Sequence, residues 1–136
     1  MTLREEIGEI IKACRGDVVE LCSSLVNIPT PNPPGDGYEQ FIQFLSQWFS
    51  KKQIKFEVTR VPEKELSTLL PKECHGPRMF LEASIEGKKD GPILYFQGHY
   101  DTIPPAGHWT RSPFQAETDG EKVWGLGASD MKGGLA

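Results

Sequence analysis

Glycine and proline divide this chain into short segments, and they constrain its fold more than any other feature. The sequence contains 14 glycines and 11 prolines among 136 residues, and they are clustered. Residues 28–37 hold four prolines and two glycines, whereas residues 125–134 hold four glycines. Proline fixes φ and lacks an amide donor, and glycine adopts angles that other residues avoid, so regular structure ends at these clusters. We expect one modest domain over residues 1–136.

Two stretches between the clusters have apolar residues at helical spacing. The first predicts an amphipathic helix over residues 3–26, which Pro29 ends because the residue before proline avoids helical angles. The second helix is predicted to begin at Asp36 or the next residue and to fade near residue 51. Asp36 would cap it, and Glu39 would complete a capping box. Its apolar stripe predicts packing in the core: Phe41, Ile42, Phe44, Leu45, Trp48 and Phe49.

Shorter elements are predicted in the middle and near the end of the chain. Alternation of apolar and polar residues predicts a half-buried strand over residues 54–58. Apolar stretches predict further strands over residues 79–85 and 123–124. Residues 63–70, which lie between two prolines, predict a short helix.

The run ILYF at residues 93–96 is the most apolar segment of the second half. It follows a predicted turn at Asp90 and Gly91, and a continuous apolar run is typical of a central strand covered on both faces. The order of these elements predicts an α/β fold, in which a mixed sheet is flanked by helices.

Composition excludes several classes of partner. The net charge is −4, which argues against nucleic acid, and no apolar run approaches the ~20 residues that span a bilayer. The first nine residues carry three glutamates and do not resemble a secretory signal. Three cysteines without a CxxC spacing argue against a disulfide framework. We therefore expect the protein to be located in the reducing cytoplasm. Cys14 and Cys22 fall at apolar positions of the first helix, where we expect small buried side chains.

The first chemical motif directly follows the apolar run. His99 and Asp101 are two residues apart, which in extended backbone places both side chains on one side. A histidine nitrogen can bind a metal ion while a neighbouring carboxylate fixes its ring. The same short pattern also fits a turn histidine that is hydrogen-bonded to an aspartate.

The second motif is the glycine-rich loop GLGASDMKGG at residues 125–134. Its glycines allow sharp turns, and Asp130 would sit where a helix begins, a place from which a carboxylate can bridge two divalent ions. A helix-capping aspartate or a nucleotide-binding loop would explain the same residues. The loop lacks the third glycine of the dinucleotide fingerprint and the glycine spacing of a phosphate-binding loop.

Together these segments form an ordered series: GHYDTIP at 98–104, Trp109, SPF at 112–114, Asp119-Gly120 and GLGASDMKGGLA at 125–136. This series resembles the metal-dependent amidohydrolase and peptidase family of acetylornithine deacetylase, succinyl-diaminopimelate desuccinylase, aminoacylase and the glutamate carboxypeptidases. The resemblance covers residues 98–136 strongly and residues 28–37 weakly. It implies an incomplete zinc-exopeptidase-like catalytic domain, the N-terminal portion of such an enzyme, without the lid or dimerisation domain.

The resemblance implies a role for each motif residue. His99 would bind one zinc ion, Asp130 would bridge two, and Asp101 would be the catalytic aspartate that orients the His99 ring. The implied cofactor is Zn²⁺, two ions per complete site, with Co²⁺ as a substitute. The family also implies a cis peptide between Asp130 and Met131, a small N-acyl amino acid or peptide as substrate, and homodimers formed through a domain absent here.

Other residues near the motifs receive no catalytic role. The resemblance gives His108 no metal role, His75 is expected in a surface loop, and Lys132 is expected to be solvated or at a helix end. The proline-rich residues 28–37 would be either a linker between helices or the rim of a cleft.

Two hypotheses of function follow. In the first, the chain is part of a hydrolase that cleaves an amide or peptide bond. The general-base glutamate and the remaining ligands that the family requires are not found in these residues, so we expect the chain alone to be inactive. In the second, the chain is a short, non-catalytic protein that binds a metal or a partner.

Overall fold

The computed structural model describes residues 1–87 and 91–136. Its three predicted helices and three of the four predicted strands lie close to where the sequence predicts them. The helices are α1 (Leu3–Val26), α2 (Tyr38–Lys51), α3 (Glu63–Leu69) and α4 (Gly133–Leu135). The strands are β1 (Lys55–Arg60), β2 (Met79–Ser84), β3 (Glu117–Thr118) and β4 (Val123–Trp124). A wide helical turn, Ala128–Lys132, leads directly into α4. The turn predicted at Asp90 and Gly91 begins outside the described residues.

The two long helices form as predicted, but they begin differently. Thr2 caps α1, since its side chain accepts a hydrogen bond from the Glu5 amide in a capping box. The capping box predicted at Asp36 is wrong, because Gly37 occupies the N-cap position of α2 in a left-handed conformation and supplies no side chain. Cys14 and Cys22 were both predicted to be buried. Cys22 is buried, but Cys14 lies on the exposed face of α1, so the prediction for Cys14 is wrong.

The strands form two small antiparallel sheets. β1 pairs with β2 along its whole length, from Lys55 opposite Ser84 to Arg60 opposite Met79, and β3 pairs with β4. The predicted α/β class is confirmed. The mixed sheet that was predicted is not observed, because both sheets of the described residues are antiparallel. An isolated parallel bridge, between Pro31 and Thr102, lies outside these sheets.

The apolar segment 93–96 was predicted as a buried central strand, and this prediction is wrong. Its four side chains are between 70% and 92% exposed, and it forms no strand within the described part of the chain. Together with residues of β1 and β2 such as Phe56 and Leu81, it lines an open groove. A central strand requires hydrogen-bonded neighbours and covering layers, and residues 1–87 and 91–136 supply neither here.

The core lies between α1, α2 and the loops that follow them. Leu21, Leu25, Ile28 and Phe41 are buried together, and other side chains of α2 and α4 pack around them. Tyr100 joins this cluster from the first motif, with its ring stacked on Phe41 at 4.8 Å between centroids. The core thus holds the first motif against α2. None of the helices in the described residues combines the length and hydropathy needed to cross a membrane.

Candidate metal centre

The structure brings the three motif residues into one cluster. His99 Nε2 lies 2.9 Å from Asp130 Oδ1, although the two residues are 31 positions apart. The other ring nitrogen, Nδ1, lies 3.2 Å from Asp101 Oδ1 and 3.1 Å from the Asp101 carbonyl oxygen. His99 therefore stands between two carboxylates, with one directed to each ring nitrogen.

The first motif is held in place by backbone pairing with the proline-rich loop. The Thr102 amide donates to the Thr30 carbonyl at 2.9 Å, and the Asn32 amide donates to the Thr102 carbonyl at 2.8 Å. The buried Thr30 hydroxyl donates to the Tyr100 carbonyl at 2.6 Å. The Asn32 side-chain amide also donates to Asp101 Oδ2 at 3.0 Å. Residues 28–37 therefore contribute to the site, as the interpretation of a cleft rim requires.

The glycine-rich loop presents Asp130 outward. Gly127 adopts a φ of 85°, and a Cβ there would lie 2.7 Å from the Thr102 methyl group, so only glycine fits this approach. Asp130 and Met131 depart from helical angles within the turn, and the peptide bond between them is cis, as the family resemblance implied. The Asp130 side chain is 86% exposed, so its carboxylate is open to solvent beside His99.

Lys132 does not match its prediction as a solvated or helix-end residue. It is completely buried, its Nζ donates to the Ile28 carbonyl at 2.7 Å, and its ammonium lies 5.4 Å from the centroid of the Phe41 ring. Burial lowers the pKa of Lys132 to about 8, while the nearby Cys22 thiol acts in the opposite direction. No sequence pattern indicates this burial, because lysine is almost never found fully inside a protein.

The electrostatics of the cluster favour a positive charge at its centre. The pKa of His99 is raised, chiefly because Asp130 accepts a hydrogen bond from its ring. The carbonyl and carboxylate of Asp101 raise it further, whereas partial burial opposes the shift. Two carboxylates that favour an imidazolium would likewise attract a divalent cation.

The donor atoms fit zinc in kind, and they form part of a site. Imidazole nitrogen and carboxylate oxygen are both common zinc ligands, and His99 Nε2 and Asp130 Oδ1 converge. Catalytic zinc ordinarily has three protein ligands. Among residues 1–87 and 91–136, no group of three or more histidine, cysteine or acidic side chains is arranged to hold a metal ion.

Within the described residues, the other two histidines make no hydrogen bond or ion pair with this cluster. His75 is exposed in the loop before β2, as predicted, and His108 is exposed in the loop between the motifs. His108 therefore offers a natural control for His99, because it is the same residue type in the same half of the chain.

Comparison with known proteins places these motifs in a family context. Residues 95–136 match the model of peptidase family M20/M25/M40. The chain is 30% identical over 120 residues to a succinyl-diaminopimelate desuccinylase of Novosphingobium aromaticivorans. It is also 30% identical over 126 residues to an acetylornithine deacetylase of Yersinia pseudotuberculosis. A shorter stretch of 48 residues is 50% identical to a succinyl-diaminopimelate desuccinylase of Methylorubrum extorquens.

These alignments cover most of this chain and a minor part of each relative. The first two cover 88% and 87% of the chain but 29% and 30% of the relatives, and the third covers 34% and 12%. The chain thus spans less than a third of the length of the curated relatives it matches. No solved structure matches it significantly.

Proposed function

We propose that the chain is part of a metal-dependent hydrolase, because residues 95–136 match the model of peptidase family M20/M25/M40. The bond cleaved is the amide bond of an N-acyl amino acid or the peptide bond of a small peptide. The similarity to a desuccinylase and a deacetylase supports this class of substrate.

One observation carries the proposal: His99 lies between Asp101 and Asp130. The contact of 2.9 Å between His99 Nε2 and Asp130 Oδ1 joins the two sequence motifs at the atoms that would bind metal. Asp101 approaches Nδ1, the ring nitrogen that a metal ligand leaves free. A turn histidine would account for the contact with Asp101 but would not require Asp130.

Each residue has a distinct role in this proposal. His99 and Asp130 are metal ligands, and Asp130 has the exposed carboxylate that bridging two cations requires. Asp101 accepts a hydrogen bond from the Nδ1–H of His99, which fixes the ring and leaves Nε2 free as a ligand. Bound zinc would polarise the scissile carbonyl and lower the pKa of a water molecule.

The remaining parts of the proposal concern the cofactor and its setting. A complete site would hold two Zn²⁺ ions, which Co²⁺ could replace. The substrates would be small molecules. The complete enzyme would form a homodimer, as members of this family often do. The three cysteines form no disulfide in the described residues, which fits a reducing compartment such as the cytoplasm.

Zinc binding tests the ligand assignment. We expect the purified chain to bind Zn²⁺ in equilibrium dialysis, and His99→Ala and Asp130→Asn to weaken binding at least tenfold, since each removes a ligand. His108→Ala is the matched control and should bind as the wild type does. Equal zinc content in the wild type and His99→Ala would refute the assignment of His99.

A hydrolysis assay tests whether these residues are catalytic on their own. The exposed apolar segment 93–96 favours the alternative, a non-catalytic protein that binds a metal or a partner, because such surface commonly marks an interaction site. We expect no turnover of N-acetyl or N-succinyl amino acids by the 136 residues alone. Zinc-dependent hydrolysis that is lost in His99→Ala would exclude the non-catalytic alternative and show that the chain is active alone.

A further inference from the structure

The proline-rich loop reaches the candidate metal centre through a single side chain. Asn32 Nδ2 donates to Asp101 Oδ2 at 3.0 Å, while Asp101 Oδ1 faces His99 Nδ1 at 3.2 Å. The two oxygens of one carboxylate are therefore divided between Asn32 and His99. Because a carboxylate held at one oxygen cannot rotate freely, Asn32 limits how Asp101 presents its other oxygen to the ring.

The orientation of the Asn32 amide is determined by Arg78. Arg78 Nη2 donates to Asn32 Oδ1 at 3.0 Å, and the Cys74 thiol approaches the same oxygen at 3.6 Å. A guanidinium group can only donate hydrogen bonds, so the asparagine must turn its oxygen toward Arg78. Its NH₂ group then points to Asp101, whose Oδ2 accepts the hydrogen bond. The backbone of Asn32 is fixed as well, by its bond to Thr102.

Arg78 is itself held from several sides. Its Nη1 donates to the carbonyl oxygens of Gly76 and Pro77, and its guanidinium lies 5.0 Å from the centroid of the Tyr38 ring. The Gly35 backbone also packs against it, since a Cβ at Gly35 would lie 2.2 Å from Nη1. Arg78 is therefore a fixed cation, and Tyr38 ties it to the buried start of α2.

These contacts form one relay from Arg78 through Asn32 and Asp101 to His99. We infer that Asn32 and Arg78 are positioning residues for the metal centre: they orient Asp101 and thereby the His99 ring. The inference rests on the proposed role of His99 as a ligand. Neither residue would touch metal or substrate. Partners behind a metal ligand typically change metal affinity by about 10–100-fold when removed, and we expect the lower end of that range for Asn32.

The first experiment uses the unmodified chain. In a ¹⁵N-labelled sample titrated with Zn²⁺, the side-chain amide signals of Asn32 should shift, because zinc on His99 polarises Asp101 and its bond to Asn32. The side chain of Asn27 is the control, since it accepts a bond from the Ala116 amide at 2.7 Å outside the site. An Asn32 signal that does not move while zinc binds would overturn the relay.

The second experiment breaks the relay at two of its members, Asn32 and Arg78. Asn32→Leu keeps the approximate side-chain size without hydrogen bonds and should weaken Zn²⁺ binding about tenfold, while Asn27→Leu should leave it unchanged. Arg78→Met should act in the same direction. The double variant should bind no more weakly than the worse single variant, because both changes remove one relay. A folded Asn32→Leu with wild-type zinc affinity, or additive losses in the double variant, would contradict the inference.

A third measurement distinguishes this inference from the proposed function. The ring nitrogen signals of His99, recorded without metal at one fixed pH, report directly on its bond to Asp101. They should change in Asn32→Leu and stay unchanged in Asn27→Leu. If the wild type binds no zinc, the ligand assignment fails, and the His99 signals alone then decide whether Asn32 positions the ring. Unchanged His99 signals in a folded Asn32→Leu would overturn the inference even if zinc binding were confirmed.

Discussion

Two neighbouring segments, 93–96 and 98–102, contrast sharply in how the fold uses them. The first is entirely apolar, yet its side chains are 70% to 92% exposed. The second carries histidine, aspartate and threonine, yet hydrogen bonds hold it to the proline-rich loop and Tyr100 packs in the core. In this part of the chain, whether a segment is packed depends more on the presence of a hydrogen-bonding backbone neighbour than on the hydropathy of its side chains.

The physical cause is that apolar side chains gain free energy only where another surface covers them. Residues 93–96 face an open groove beside β1 and β2, and no layer of the described residues lies over them. Residues 98–102 lie against a neighbour made rigid by four prolines, which loses little conformational entropy on pairing. Three predictions test this contrast, beginning with the largest effect.

Two phenylalanines provide the most direct comparison. Phe41 is completely buried and stacks on Tyr100, whereas Phe96 is 83% exposed. We expect Phe41→Ala to lower the free energy of unfolding by about 3–5 kcal/mol, since it leaves a cavity. Phe96→Ala should change it by less than about 0.5 kcal/mol. Urea unfolding followed by circular dichroism measures both, and comparable losses in the two variants would mean that 93–96 is packed in solution.

Alkaline pH should lower the free energy of unfolding through the tyrosines that pack at the second segment, residues 98–102. Burial chiefly raises the pKa of Tyr38 above its usual range and that of Tyr100 to about 12, and the charge of Asp101 acts in the same direction on both. The unfolded chain loses these protons near pH 10, whereas the folded chain keeps them. The stability from each tyrosine is therefore complete below pH 10 and falls as pH rises, by about 1.4 kcal/mol per pH unit.

Unfolding in urea between pH 9 and 11.5 measures this loss as a difference in slope between each variant and the wild type, because Lys132, whose lowered pKa acts in the opposite direction, is common to all of them. Tyr38→Phe should reduce the slope, because phenylalanine has no proton to lose. Tyr95, which is 70% exposed in the first segment, gives the control variant Tyr95→Phe, whose slope should equal that of the wild type. Identical slopes in Tyr38→Phe and the wild type would contradict the proposed origin of the loss.

Two buried threonines give the smallest effects, with opposite signs. Thr30 donates to the Tyr100 carbonyl, so Thr30→Val should cost about 1–2 kcal/mol by leaving that carbonyl without its partner. Thr102 Oγ1 is buried without a hydrogen-bond partner among the residues that the structure describes. Thr102→Val should therefore stabilise the fold by about 1 kcal/mol. Thermal unfolding of the two variants checks the signs, and a destabilised Thr102→Val would show that its hydroxyl is bonded in solution.

Local sequence patterns were sufficient for the elements that depend on local contacts. The apolar spacing of α1 and α2, the alternation in β1 and the prolines around α3 each correspond to an observed element. The segment 93–96 was mispredicted because a continuous apolar run indicates a preference for burial and not whether a covering layer exists. The cap of α2 was mispredicted because Gly37 shifts the helix start by one residue beyond the aspartate that would cap it.

The same distinction applies to the candidate site. His99, Asp101 and Asp130 were found because their spacing and their resemblance to a family are sequence properties, and their roles remain a proposal. Asn32 and Arg78 were missed because their contacts join positions separated by 46 and 69 residues, a proximity that only the fold creates. The clustered prolines were the available signal, since a rigid loop holds a side chain at a fixed place.

The buried ammonium of Lys132 couples the glycine-rich loop to the proline-rich loop. It joins the glycine-rich loop to the Ile28 carbonyl, 104 positions away, at the point where the proline-rich loop begins. If either loop detached, the ammonium would lose its hydrogen-bond acceptor. A buried charge without a partner is costly in free energy, so opening of one loop promotes opening of the other. We therefore expect the two loops to behave as one cooperative unit, in which the cluster around His99 is assembled or lost in a single step.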